Sequence, residues 1–98
     1  MTCELFVFTR CYAKQGLQHS MAATIQAVLG PTRQEPGCLM IEAFGSTRDE
    51  RLFYIHSRWK NESAFDNHLQ LPHTIRFLEA IQASIDQPMD ATRAELLP

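Results

Sequence analysis

"EPGCLMIEAFGSTRDERLFYIHSRWK", residues 35 to 60, decides the fold. Pro36-Gly37 is a turn signal, and the run from Cys38 to Ser46 that follows it is apolar apart from Glu42. "STRDE" is a polar loop, and "RLFYIHSRWK" is a second run rich in aromatic and β-branched residues. Two such runs joined by a short polar loop predict an antiparallel hairpin. Successive strand residues point to opposite faces. Leu52 and Tyr54 therefore take one side and Phe53, Ile55 and Trp59 the other, so both faces of the sheet need cover.

Outward from the hairpin, "TCELFVFTRCYA", residues 2 to 13, reads as a strand ended by "KQG". Leu17, Met21, Ile25, Val28 and Leu29 recur at spacings of three and four, which predicts a helix over 16–30 stopped by Gly30-Pro31. After the hairpin, Asn61 is a helix N-cap with Glu62 in the first turn. Pro72 restarts the helix after a break at "LQLP", and Ile75, Leu78, Ile81 and Ile85 form its expected buried stripe. "MDATRAELL" is a short final strand. The order strand, helix, strand, strand, helix, strand predicts an α+β, ferredoxin-like βαββαβ fold with an antiparallel sheet and both helices on one face. The other face is then left for a second copy of the sheet, which predicts a homodimer joined through its sheet faces.

Bulk properties agree with one small domain over residues 1–98, in which apolar residues make up 45% and charged residues 20%. A formal charge of -2 with mixed signs offers no field for a phosphate backbone, so nucleic acid is not an expected partner. No run approaches the length needed to span a bilayer, and Met1 leads directly into a strand-like segment, so neither a membrane span nor a leader is expected. Cys3, Cys11 and Cys38 are an odd set without C-x-x-C spacing. They suit buried free thiols in a cytoplasmic protein.

Three stretches, "KQG", "TRQEPGCL" and "FYIHSRWKNESAFDNHLQLPH", together carry a resemblance to the antibiotic biosynthesis monooxygenase-like family of dimeric α/β barrels, which includes small quinol monooxygenases. The resemblance covers almost the whole chain. It implies Gly37 at a tight turn, a pocket between sheet and helices, and oxidation of a small aromatic or quinol by molecular oxygen with no metal or bound flavin, the substrate supplying the electrons. By the same resemblance His68 is the candidate catalytic base, and Trp59 and His73 are candidate substrate contacts. Ser57, where glutamate is usual, is a further substrate contact, and Ile41 stands where tyrosine is common.

Each candidate also has a plainer reading. His68 can be a helix histidine bonded to the backbone, and Trp59 simply the largest core residue at a strand end, although a stacking wall is also packing. His19, His56, His68 and His73 do not predict a metal site, because His68 and His73 are five apart with Pro72 between them. Arg58 and His56 point away from Trp59, where Glu42 is available as an ionic partner, and Cys38 reads as a small hydrophobe. Two further functions remain open on this fold: isomerisation of a small carbonyl compound of the phospho-autoinducer type, and non-catalytic small-molecule binding by the dimer. Isomerisation lacks a basic cluster for phosphate. Haem degradation is disfavoured, since strand one lacks the asparagine of the haem-cleaving relatives.

Overall fold

The computed structural model describes residues 3–98, so Thr2 of the expected first strand lies outside the described residues. The elements run β1 (Leu5–Tyr12), α1 (Gln18–Arg33), β2 (Cys38–Gly45), β3 (Leu52–Trp59), α2 (Glu62–His68), α3 (Pro72–Gln82) and β4 (Asp90–Ala94). The sheet order is β2-β3-β1-β4 and every pairing is antiparallel. This is the ferredoxin-like βαββαβ arrangement, with its second helix divided in two.

The predicted hairpin is β2 with β3, in a register that sets Ile41 opposite Ser57 and Glu42 opposite His56, with a bulge between Cys38 and Met40. Alternation then sorts the faces. Leu5, Val7 and Cys11 of β1 and Ile55, Ser57 and Trp59 of β3 are buried under the helices. On the other face Phe8 is 51% exposed, Phe44 48% and Tyr54 41%, and the His56 ring stacks on Phe8 at 4.7 Å. Three exposed aromatic rings on one face form an apolar surface that the chain does not cover itself. Arg58, on the same face, pairs with Glu4 at 3.5 Å rather than with Glu42.

Two helices depart from expectation. α1 does not stop at Gly30 but runs to Arg33 with Pro31 inside it. A proline there forfeits only the bond to the Ala27 carbonyl, in the last turn. The Thr32 hydroxyl donates to the Val28 carbonyl at 2.7 Å, and the Arg33 guanidinium donates to the Ile41 carbonyl at 2.9 Å, tying the extended end to β2. In α3 the buried residues are Thr74, Phe77 and Ile81, while Ile75 is 44% exposed and Leu78 is half-buried. The stripe was misphased because Ile85 is not on the helix, which ends at Gln82; Ile85 is buried through a bridge to Ala13.

The cysteines are all free, but only Cys11 is buried; Cys38 is half-buried and Cys3 is exposed. Burial pushes the Cys11 thiol up to about 11. The apolar interior forms two clusters. One gathers Met21, Ile25, Val28, Ile41, Ile55, Phe77 and Ile81, and the other Leu5, Val7, Trp59 and Phe65. Four of the buried polar residues, Thr32, Ser57, His68 and Thr74, line one cavity together with members of both clusters, so it is the polar seam in the core.

Candidate functional site

The site is assembled by the turn after α1. The Cys38 amide donates to the Glu35 carbonyl at 3.1 Å, closing the turn, and the Lys60 amide donates to the Gly37 carbonyl at 3.0 Å. Gly37 is not in the left-handed region; the one glycine with positive φ is Gly16, at 86°, in "KQG". What requires glycine at 37 is proximity, since a Cβ there would lie 2.5 Å from the Ala64 Cβ. The turn is therefore pressed onto the start of α2. Asn61 caps that helix as expected, its Oδ1 accepting from the Ala64 amide at 2.8 Å. Arg93 of β4 donates to Glu62 at 2.8 Å and Asp66 at 2.9 Å, holding α2 down onto the sheet.

His68 closes α2 and His73 lies in the first turn of α3, and the break between these helices turns both rings onto Glu35. Glu35 Oε2 lies 2.7 Å from His68 Nδ1 and 2.6 Å from His73 Nε2. The Thr74 hydroxyl oxygen is 3.2 Å from His68 Nδ1. The side chains of Glu35 and His68 are each 9% exposed and that of His73 is 17% exposed. The ligand atoms of all three lie within 4.8 Å of one another. The five-residue spacing suggested that the two histidines diverge; the break at Leu71-Pro72 makes them converge.

A carboxylate can only accept, so the hydrogen bond to Glu35 places the His68 ring proton on Nδ1 and leaves Nε2 with its lone pair. Burial lowers the His68 pKa below its ordinary value, and the neighbouring Glu35 charge opposes that shift without overcoming it. His68 is thus neutral near pH 7 and oriented by a carboxylate, the relation that an activated general base needs.

His68 lines a cavity of about 80 Å³ between sheet and helices. Its floor is Ile41, Ile55 and Ser57, with Phe65 and Phe77 on the helix side and Leu69, Met89 and Ala91 also in its wall. Ile41 and Ser57, the two departures from the common family residues, are cross-strand neighbours on this floor. Ser57 also accepts the Trp59 indole N–H at 3.0 Å. Trp59 itself is fully buried and does not line the cavity; its ring lies 4.6 Å from that of His68 with the planes tilted by 39°, and it meets Phe65 edge-on at 5.5 Å. His73 lies outside the cavity, beside Arg76, Ala27 and Pro31 in a groove between α1 and α3.

Of the four residues singled out in the sequence, His68 and Ser57 reach the cavity, Trp59 backs His68, and His73 is linked to it only through Glu35 and His68 in turn. His19 is remote and exposed, and His56 lies on the open sheet face. Glu35 and Thr74 escaped sequence reasoning. The available signal was an acidic residue directly before Pro-Gly, within a stretch that carries the resemblance.

The comparisons agree with this architecture. The solved structure of PA3566 from Pseudomonas aeruginosa superimposes with a TM-score of 0.93 at 23% identity, covering 100% of this chain and 98% of that one. Rv0793 from Mycobacterium tuberculosis does so with a TM-score of 0.91 at 21% identity, covering 97% and 96%. At these identities the likeness is one of fold. In sequence, the chain is 24% identical over 92 residues to that same protein, named "Putative monooxygenase Rv0793", covering 94% of this chain and 90% of that one. It is 26% identical over 77 residues to an uncharacterized Synechocystis protein, covering 79% of this chain and 52% of that protein's length. The model of the antibiotic biosynthesis monooxygenase family matches residues 5–80, and with that match spanning both helices of the site and three of the four strands, the chain belongs to the antibiotic biosynthesis monooxygenase family.

Proposed function

We propose that this protein is a cofactor-independent monooxygenase that oxidises a small phenol or quinol with molecular oxygen, using His68 as the base. The observation that carries the reading is the neutral, carboxylate-oriented imidazole lining a mostly apolar cavity in which a few hydroxyls, Thr32, Ser57 and Thr74 among them, are the other polar groups. The name of the Mycobacterium tuberculosis relative points the same way. In the reaction, His68 Nε2 takes a hydroxyl proton from the quinol, and the anion gives up electrons to oxygen far more readily than the neutral ring. Oxygen adds at a ring carbon as a hydroperoxide, and the O–O bond then breaks. The peroxide takes its proton from the imidazolium, and loss of the ring C–H proton as the O–O bond breaks leaves one oxygen on carbon as a carbonyl and releases the other as water. Quinol and O2 thus give a hydroxyquinone and water with no external reductant. Glu35 stabilises the imidazolium between the two transfers, and Ile41, Ile55, Phe65 and Phe77 around the cavity exclude water that would divert the anion.

Size narrows the substrate. An engineered cavity of about 150 Å³ accommodates benzene, so about 80 Å³ fits one ring only after the Leu69 and Met89 side chains yield. A monocyclic substrate is therefore proposed over a polycyclic one. The working unit is a homodimer paired through the exposed Phe8, Phe44 and Tyr54 face, and the free cysteines suit a cytoplasmic setting. Among the described residues no helix is long and apolar enough to cross a membrane.

Oxygen uptake with a panel of monocyclic hydroquinones tests the reading. His68→Ala should lower kcat by about 100-fold or more with little change in binding. Equal rates in wild type and folded variant would remove His68 as the base. Absence of uptake with every substrate would favour the non-catalytic binder, for which the lack of a second polar group at Ile41 speaks.

A further inference from the structure

We propose that Glu35, His68 and His73 also form a binding site for one zinc-class divalent ion, and that this ion, by taking His68 Nδ1, forces the ring proton onto Nε2 and disables the base. The consequence for catalysis rests on the reading of His68 above; the binding does not. Two imidazoles and a carboxylate with ligand atoms within 4.8 Å of one another are a three-ligand set of the composition zinc accepts, leaving a fourth position for water. Imidazole donors favour zinc and its neighbours over magnesium or calcium.

In the structure, both imidazoles hydrogen-bond to one Glu35 oxygen at 2.7 and 2.6 Å. Tetrahedral zinc with bonds of about 2.0 to 2.1 Å sets its ligand atoms about 3.3 Å apart, so each contact must open by about 0.6 to 0.7 Å. Glu35 sits on a turn and His73 on the first turn of α3, so side-chain rotation at the outer side of the site can supply that movement. Access is from outside as well: Glu35 lines a surface cleft with Lys60 and Asn67, and His73 lines the groove beside α1. The ion need not pass through the substrate cavity.

The two states are exclusive at the level of one proton. With Glu35 as partner, Nδ1 holds the proton and Nε2 is free to accept one. With a metal on Nδ1, the neutral ring must carry its proton on Nε2, where it is a donor. The site therefore reports zinc directly to the atom that does the chemistry.

The test uses chelator-stripped full-length protein titrated with zinc chloride by calorimetry, together with ¹⁵N-resolved histidine NMR. One ion per chain is expected. Glu35→Gln and His73→Ala should each weaken binding by at least about tenfold, and His68 should pass from the Nδ1–H to the Nε2–H tautomer as zinc is added. No binding by the stripped wild type, binding unchanged in both variants, or a His68 tautomer unmoved at saturation would each overturn the proposal. Oxygen uptake by the stripped protein separately tests the monooxygenase reading, so either can fail while the other stands.

Discussion

Gly37→Ala is the most pointed perturbation the structure offers. The added Cβ would stand 2.5 Å from the Ala64 Cβ and 3.5 Å from its Cα. Carbon atoms in contact sit about 3.5 to 4.0 Å apart, so turn and helix must separate by about 1 Å or more. Overpacking of this kind costs about 1 to 3 kcal/mol, which in a domain of this size lowers Tm by about 4 to 8 °C for each kcal/mol. Ala64→Gly removes the opposing methyl and alone costs about 1 kcal/mol as a helical glycine. If the clash is the cause, the double variant should be no less stable than Ala64→Gly alone, with a coupling of about 1 to 3 kcal/mol in its favour. Urea unfolding followed by far-ultraviolet circular dichroism measures all four corners of the cycle. Strictly additive losses would refute the argument. The single variant should also shift the Glu35 turn relative to His68, so a loss of oxygen uptake larger than the unfolded fraction explains is expected with it.

Three other outcomes follow from the same geometry. His68 has its pKa lowered in the fold by burial, so its contribution to stability is complete above the unfolded value near 6.5 and is lost as pH falls below it. Tm of the metal-free protein should fall between pH 7 and pH 5 more steeply than that of His68→Gln, and an equal slope would contradict this. With a thiol pKa of about 11, Cys11 carries about one thiolate in a thousand at pH 8, so it should resist thiol reagents until unfolding, as mass spectrometry of labelled native protein can check. Phe8→Glu, which places a carboxylate on the open aromatic face, should convert a sedimenting dimer to monomer; an unchanged dimer would move the interface elsewhere.

The strands and the hairpin were legible because their side-chain alternation is local, and Asn61 and Pro72 announced the helix starts through chemistry within a single turn. Legibility failed where partners are distant in sequence. Pro31 looked like a stop, yet contacts from Thr32 and Arg33 carry the helix past it. Ile75 looked buried because a periodicity was extended through Ile85, which belongs to a bridge rather than to the helix. The site shows the same division. His68, Trp59 and Ser57 lie on elements whose placement the pattern predicts, whereas Glu35 meets its histidines across 33 and 38 residues of chain. No local rule connects such positions.

Trp59 is the sole tryptophan, fully shielded from solvent, and its indole lies 4.6 Å from the His68 ring. A protonated imidazole at that range accepts charge from an excited indole far better than a neutral one. The fluorescence of the native protein is therefore an unlabelled optical readout of His68. It should dim as the ring takes up a proton, so that the protonation of His68 can be followed in the native protein at rapid-mixing times without a label.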